Sequence, residues 1–172
     1  MSQRQARACR AAVFHSPGAP LELQEFEVPK PAEREAVVRI TLCTVCGSDL
    51  HTILGKRIEP TPAILGHEIL GEVTEVGEPP PLDLGGNPLR KGDRVTWSTC
   101  VSCLRCDRCN DGFPQKCRTL FKYGHSVAEG RYALSGGLAE CILLRRGSAV
   151  IRPSADLPDR VVCPVNCATA TI

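Results

Sequence analysis

Five cysteines crowd the segment "CVSCLRCDRCNDGFPQKC", at positions 100, 103, 106, 109 and 117. Gaps of two residues let a tight turn present several sulfurs to one ion. A four-cysteine zinc site needs thiolates converging at about 2.3 Å, with the last ligand arriving from farther along the chain. Two sets compete: Cys103, Cys106, Cys109 and Cys117, or Cys100, Cys103, Cys106 and Cys109. The second set has the spacing that opens an iron–sulfur run, but Asn110 and Asp111 stand where that run would continue to its Cys-Pro ending. The first set is therefore expected, as a closed and structural site. The apolar pattern disappears from 100 to 117, so a bound metal would supply the stability that burial cannot.

A second constellation begins in "CTVCGSDLHTILG", residues 43–55, and continues in "GHE" at 66–68. One thiolate, Cys46, and one imidazole, His67, make a partial zinc site. A catalytic zinc keeps three protein ligands and one open position. The third candidate is Cys167 in "CPVNCATAT", with Cys163 four residues earlier as the competitor; on a continuous helix the two would share a face. Asp49 can accept a hydrogen bond from the second ring nitrogen of His67 and fix its tautomer. Ser48 can take a proton from a metal-bound hydroxyl and pass it to His51, whose ordinary pKa near 6.5 suits a relay. Cys9, Cys43 and Cys141 read as small buried hydrophobes. His15 and His125 read as structural or surface residues, with His125 close enough after the lobe to reach a cleft.

These residues need short, turn-linked elements to bring them together. "ARACRAAVF" and "LELQEFEV" predict strands around the turn "HSPGAP". "EAVVRITLC" is a β-branched run that delivers Cys43 and Cys46 to its end. "GSDLHTILG" predicts a helical turn, capped by Ser48 or Asp49 and stopped by Gly55. "HEILGEVTEVG", "DRVTWS", "GGLAECILL" and "SAVIRP" predict four further strands, and "EPPPLDLGGNPLRKGD" a long loop. "LPDRVVCPVNCATATI" predicts a helix starting at Pro158 or Asp159. Gly66, Gly71 and Gly77 are expected to serve backbone geometry.

The whole chain, 172 residues with a formal net charge of +2 and 4% aromatic residues, offers neither the basic surface nor the stacking platforms of nucleic-acid binding. No stretch approaches the roughly 18 apolar residues of a membrane span, so no membrane partner is expected. Eleven cysteines are an odd count, unsuited to a closed disulfide framework, and point to thiolates kept reduced in a cytoplasmic setting.

Taken in order, "CGSDLH", "GHE", "KGDRV" and the C-x2-C-x2-C-x7-C lobe resemble the zinc-containing medium-chain alcohol dehydrogenases, from about Ala8 to the chain end. The resemblance implies a mainly β fold: a GroES-like, partly open β-barrel with short helices and a four-cysteine zinc lobe. It implies a catalytic domain at 1–158, with the lobe at 100–117, and at 159–172 the start of a helix leading towards a Rossmann domain. No G-x-G-x-x-G follows a strand, so that cofactor-binding domain is expected to be absent from this chain. By the same resemblance, Cys46, His67 and Cys167 hold a catalytic zinc, and Cys103, Cys106, Cys109 and Cys117 a structural one. Ser48 and His51 form the relay, and Glu68 is a carboxylate that approaches the metal during ligand exchange. The implied reaction interconverts a small alcohol or polyol and its carbonyl, with NAD or NADP bound through the missing domain. The chain alone would then bind zinc without completing turnover. Relatives assemble as dimers or tetramers, so a homo-oligomer is among the expected partners. The competing expectation is a non-catalytic GroES-like zinc-binding or interaction module.

Overall fold

The computed structural model describes residues 7–171, without the side chain of residue 171. Its strands are β1 (Ala8–Phe14), β2 (Glu22–Glu27), β3 (Ala36–Thr44), β4 (Ala63–Ile64), β5 (Glu68–Val76), β6 (Arg94–Trp97), β7 (Cys100–Val101), β8 (Phe121–Lys122), β9 (Cys141–Leu144) and β10 (Val150–Ile151). Three short helices, α1 (Gly47–Ile53), α2 (Asp107–Asn110) and α3 (Asp159–Val162), interrupt them. Five strands form one sheet in the order β10-β6-β5-β3-β9, three form a second in the order β2-β1-β4, and β7 pairs with β8. Every ladder between these strands is antiparallel. The result is a small, partly open β-barrel of the GroES-like type.

The larger sheet is buried on both faces where Ala36, Val37 and Val38 of β3 meet β9, whereas Arg39 and Glu72 pair on an exposed part of it. Side chains of a strand alternate between faces. Ala36 and Val38 therefore join Ile69, Val95, Trp97 and Ile142 on one side, while Val37 joins Cys9, Val13, Ile64 and Leu143 on the other. Cys9 and Cys141 are core residues, as their residue type suggests, and Cys43 packs against the core from the side.

Two sequence expectations are trimmed. "GGLAECILL" becomes a strand only at Cys141–Leu144. The helix expected from residue 158 ends after one turn: α3 stops at Val162, and tight 3-10 turns follow at Cys163–Asn166 and Thr169–Thr171. Pro164 accounts for the break, because it has no N–H to donate and its ring crowds the carbonyl four residues earlier.

Glu35, 3% exposed, ties the chain entering β3 to the 3-10 turn at Gly130–Tyr132. It accepts hydrogen bonds from the Ala32 N–H at 2.9 Å, from the Tyr132 hydroxyl at 2.5 Å and from the Arg131 guanidinium. Burial alone would raise its pKa; the bonds from Arg131, Tyr132 and Ala32 outweigh it and hold the carboxyl below its usual range. Its stabilising contribution is thus complete above the ordinary glutamate pKa of about 4.3 and is lost as pH falls through the lower folded value. Glu35→Gln is expected to lower Tm by roughly 5 °C at neutral pH. The gap to the wild type should close on acidification, as thermal melts across the acid range would show. A gap independent of pH would contradict the ionic role.

Candidate metal centres and cleft

The ladder between β3 and β5 creates the first site. Thr44 pairs with Glu68 at the end of both strands. Cys46, two residues beyond β3, and His67, one residue before β5, therefore emerge side by side. Gly66 makes the turn into His67 with φ +86°, a conformation that disfavours any residue with a Cβ. A Cβ there would also meet the Cys43 sulfur at 2.7 Å.

α1 begins directly after Cys46, which occupies its N-cap position. The cap expected at Ser48 or Asp49 is thus two or three residues too late. Asp49 instead lies in the first turn and reaches back to accept from the Cys46 N–H at 2.9 Å. Its other oxygen accepts from the Gly66 N–H at 3.2 Å and faces His67 Nδ1 at 3.5 Å. This buried carboxylate thereby sets the aim of both Cys46 and His67. Burial opposes its ionisation, but His67 and the two N–H groups hold its pKa below the usual value.

Cys167 arrives from the far end of the chain. Its sulfur lies 3.3 Å from His67 Nε2 and 4.0 Å from the Cys46 sulfur. Ligand atoms of Cys46, His67, Glu68 and Cys167 all fall within 4.8 Å of one another. Tetrahedral zinc with the usual bond lengths would separate two sulfurs by about 3.8 Å and a sulfur from a nitrogen by about 3.6 Å, so the donor set fits. The competitor Cys163 does not join it. Its side chain is fully buried with Leu42, Leu70 and Val162, and its thiol donates to the Glu68 carbonyl at 3.1 Å. The shared helix face assumed for Cys163 and Cys167 does not exist, because Pro164 lies between them.

Glu68 stands behind this group, accepting from the Thr44 hydroxyl at 2.6 Å and the Ala168 N–H at 3.1 Å. Ser48 borders the open side. His51 is exposed on α1, and among the described residues no hydrogen bond joins its side chain to Ser48. The thiols differ in acidity. Burial would raise the Cys46 pKa, but hydrogen bonds from Ser48, His67 and Cys167 bring it down; burial and then the Cys46 charge push Cys167 up to about 11. One thiolate thus suppresses the other, a conflict that a cation between them removes.

The second site is closed. Cys103, Cys106, Cys109 and Cys117 bring their sulfurs within 4.8 Å of one another. Cys106 and Cys109 are separated by 3.5 Å and Cys103 and Cys109 by 4.0 Å, again the spacing of tetrahedral zinc. A backbone N–H from Arg105 helps to lower Cys103 to about 6, while desolvation and its sulfur neighbours push Cys109 up to about 12. Cys100 falls outside this set and borders the cleft instead.

That cleft, about 470 Å³, opens beside Cys46, His67 and Cys167. His125 is buried at its wall, its ring centroid 4.7 Å from that of His67, so it is neither a surface residue nor remote from the site. Sequence reasoning missed three contributors. Asn166 straps the Cys167 segment down by donating to the carbonyls of His67 at 3.0 Å and Trp97 at 2.8 Å. Arg57 and Lys122 also line the cleft. No local signal marks these three, since each acts through strands distant in sequence.

A GroES-like barrel with one closed four-sulfur cluster and one mixed cluster facing a cleft defines a domain of the zinc-dehydrogenase type. Residues 32–154 match the alcohol dehydrogenase GroES-like domain, and the chain belongs to that family. It is 37% identical over 125 residues to zinc-type alcohol dehydrogenase B of Aspergillus flavus, covering 72% of this chain and 28% of that protein. Among solved structures, an alcohol dehydrogenase from Thermotoga maritima superposes with a TM-score of 0.88 at 31% identity, covering 96% of this chain and 46% of that one. A short chain alcohol dehydrogenase from Escherichia coli, complexed with NADH, superposes with a TM-score of 0.74 at 27% identity, covering 92% and 42%. The chain thus spans less than half the length of each of these relatives. No helix among the described residues is long and apolar enough to cross a membrane.

Proposed function

We propose that this chain is the catalytic half of a zinc-dependent, NAD(P)-linked oxidoreductase that interconverts a small alcohol and its carbonyl. The observation that carries the reading is the convergence of Cys46, His67 and Cys167 beside an open cleft. Cys46, His67 and Cys167 would hold the catalytic zinc, and Cys103, Cys106, Cys109 and Cys117 the structural one. A zinc held there would supply a Lewis acid that lowers the pKa of a substrate hydroxyl, and a nicotinamide would supply the hydride acceptor.

The chain's own residues prepare this chemistry. Asp49 fixes the direction of His67, and Glu68 supplies a buried carboxylate close enough to exchange with another donor. Ser48 takes the hydroxyl proton at the cleft, and His51, three residues on and exposed, releases it to solvent. The antiparallel barrel builds no dinucleotide-binding sheet among the described residues, so the nicotinamide reaches the cleft from a Rossmann domain or subunit outside it. Residues 1–158 make the catalytic domain in this reading, and the segment that starts at 159 brings Asn166 and Cys167 back to the cleft on its way towards the cofactor domain.

Cobalt(II) replacement tests whether the cleft metal keeps an exchangeable position. Azide or imidazole is expected to change the visible cobalt spectrum of the wild type and leave that of Cys46→Ser unchanged. A wild-type spectrum insensitive to both would favour the non-catalytic zinc module.

A further inference from the structure

The charge of the cleft wall narrows the substrate class, an inference that rests on the dehydrogenase reading. β7 and β8 form a two-stranded ladder in which Cys100 pairs with Lys122 and Val101 with Phe121. Directly paired residues project to the same face. Val101 is buried in the core with Phe121 packed against that cluster, so the Cys100 and Lys122 side chains turn to the opposite face, where they line the cleft. Hydrogen bonds between the Lys122 backbone and Ser126 Oγ, at 2.8 and 3.4 Å, hold that strand in place.

Arg57 lines the same cleft. Its Nε lies 2.6 Å from Glu59, whose carboxylate also faces His125 Nδ1 at 3.2 Å. Arg57 is therefore anchored through Nε, and among the described residues no other acid forms an ion pair with it. The remaining acids are occupied elsewhere: Asp49 by Cys46, Gly66 and His67, and Glu68 by Thr44 and Ala168. No acidic side chain among the described residues forms an ion pair with Lys122. Arg57 and Lys122 bring two positive charges against the single negative charge of Glu59. A dication held by two thiolates and a neutral imidazole adds no net charge; Asp49 and Glu68 keep their negative charges but do not line the cleft, so the positive character belongs to the part of the wall that Lys122 and Arg57 form.

We propose that the cleft selects a small alcohol or carbonyl compound that carries an anionic group, a carboxylate or phosphoryl, held by Lys122 with help from Arg57. A neutral alcohol offers the Lys122 ammonium no opposite charge. An anion there gains a charge-assisted hydrogen bond. The same cations could instead meet the phosphates of the nicotinamide cofactor, and the test separates these sources.

The test compares binding of 3-hydroxypropionate, neutral 1,3-propanediol and ADP-ribose to the zinc-loaded chain by calorimetry. Lys122→Met is expected to weaken 3-hydroxypropionate about tenfold and to leave the diol unchanged; Lys122→Arg should restore the acid's affinity. Equal affinities of wild type and Lys122→Met for the acid would overturn the proposal. So would a loss confined to ADP-ribose, which would assign the cation to the cofactor, or an equal loss for acid and diol, which would mean collapse of the cleft. Metal content is measured on the same samples. Lys122-dependent binding of the acid in a chain with no cleft metal would keep the anion site and sink the dehydrogenase reading alone.

Discussion

Cys117→Ser is expected to lower Tm by roughly 10 °C or more and to lose one bound zinc. The reason lies in what the lobe lacks. Between β7 and β8 the chain runs through α2 and a 3-10 turn at Pro114–Lys116, and neither helical piece contains a buried residue. Cross-links come from surface groups, such as Arg118 with Asp107, both more than half exposed. Such pairs contribute little in water. Four thiolates on one metal are the strongest organiser the segment can have, and Cys117 is the ligand that closes the loop. Its sulfur also accepts from the Cys103 N–H at 3.2 Å, so the substitution disturbs the turn as well as the ion. A chelator strong enough to strip this site should reproduce the loss in the wild type. Thermal melts with and without chelator check both statements.

Cys46→Ser should behave in the opposite way. It is expected to keep the fold, with Tm within about 3 °C of the wild type, and to lose the cleft zinc. Cys46 is the N-cap of α1, and serine is among the favoured residues at that position. The Asp49 carboxylate bonds the backbone N–H of residue 46 rather than its side chain, so that anchor survives. What disappears is one of two sulfurs in the mixed cluster. Lewis-acid assistance is worth several kcal/mol of transition-state stabilisation. Alcohol oxidation by the protein joined to its nicotinamide-binding partner should therefore fall by about 10³-fold or more. Equal thermal losses in Cys46→Ser and Cys117→Ser would contradict the division into a structural and a catalytic centre.

Local information in the chain accounts for most of the barrel. β3 and β5 are long β-branched runs, and both appear within a residue or two of where their patterns place them. The lobe was also legible, because its spacing is short enough for neighbouring residues to determine it. Cys100 shows the limit: by spacing it belongs to the lobe, yet its pairing with Lys122 turns it to the cleft. The choice between Cys163 and Cys167 likewise depended on helical continuity, which Pro164 interrupts. Helical periodicity in "LPDRVVCPVNCATATI" was outweighed by one missing N–H. Arg57, Lys122 and Asn166 carry no motif at all. Their roles follow from long-range ladders and from carbonyls left facing the cleft, which a linear reading does not contain.

The most direct test of the account is the number of zinc ions per chain, counted by native mass spectrometry under conditions that preserve metal. Two zinc ions are expected in the wild type, one for each cluster, and one in each of Cys46→Ser and Cys117→Ser. A wild-type chain that carries only the lobe zinc, with Cys46→Ser indistinguishable from it, would contradict the assignment of a catalytic centre to Cys46, His67 and Cys167.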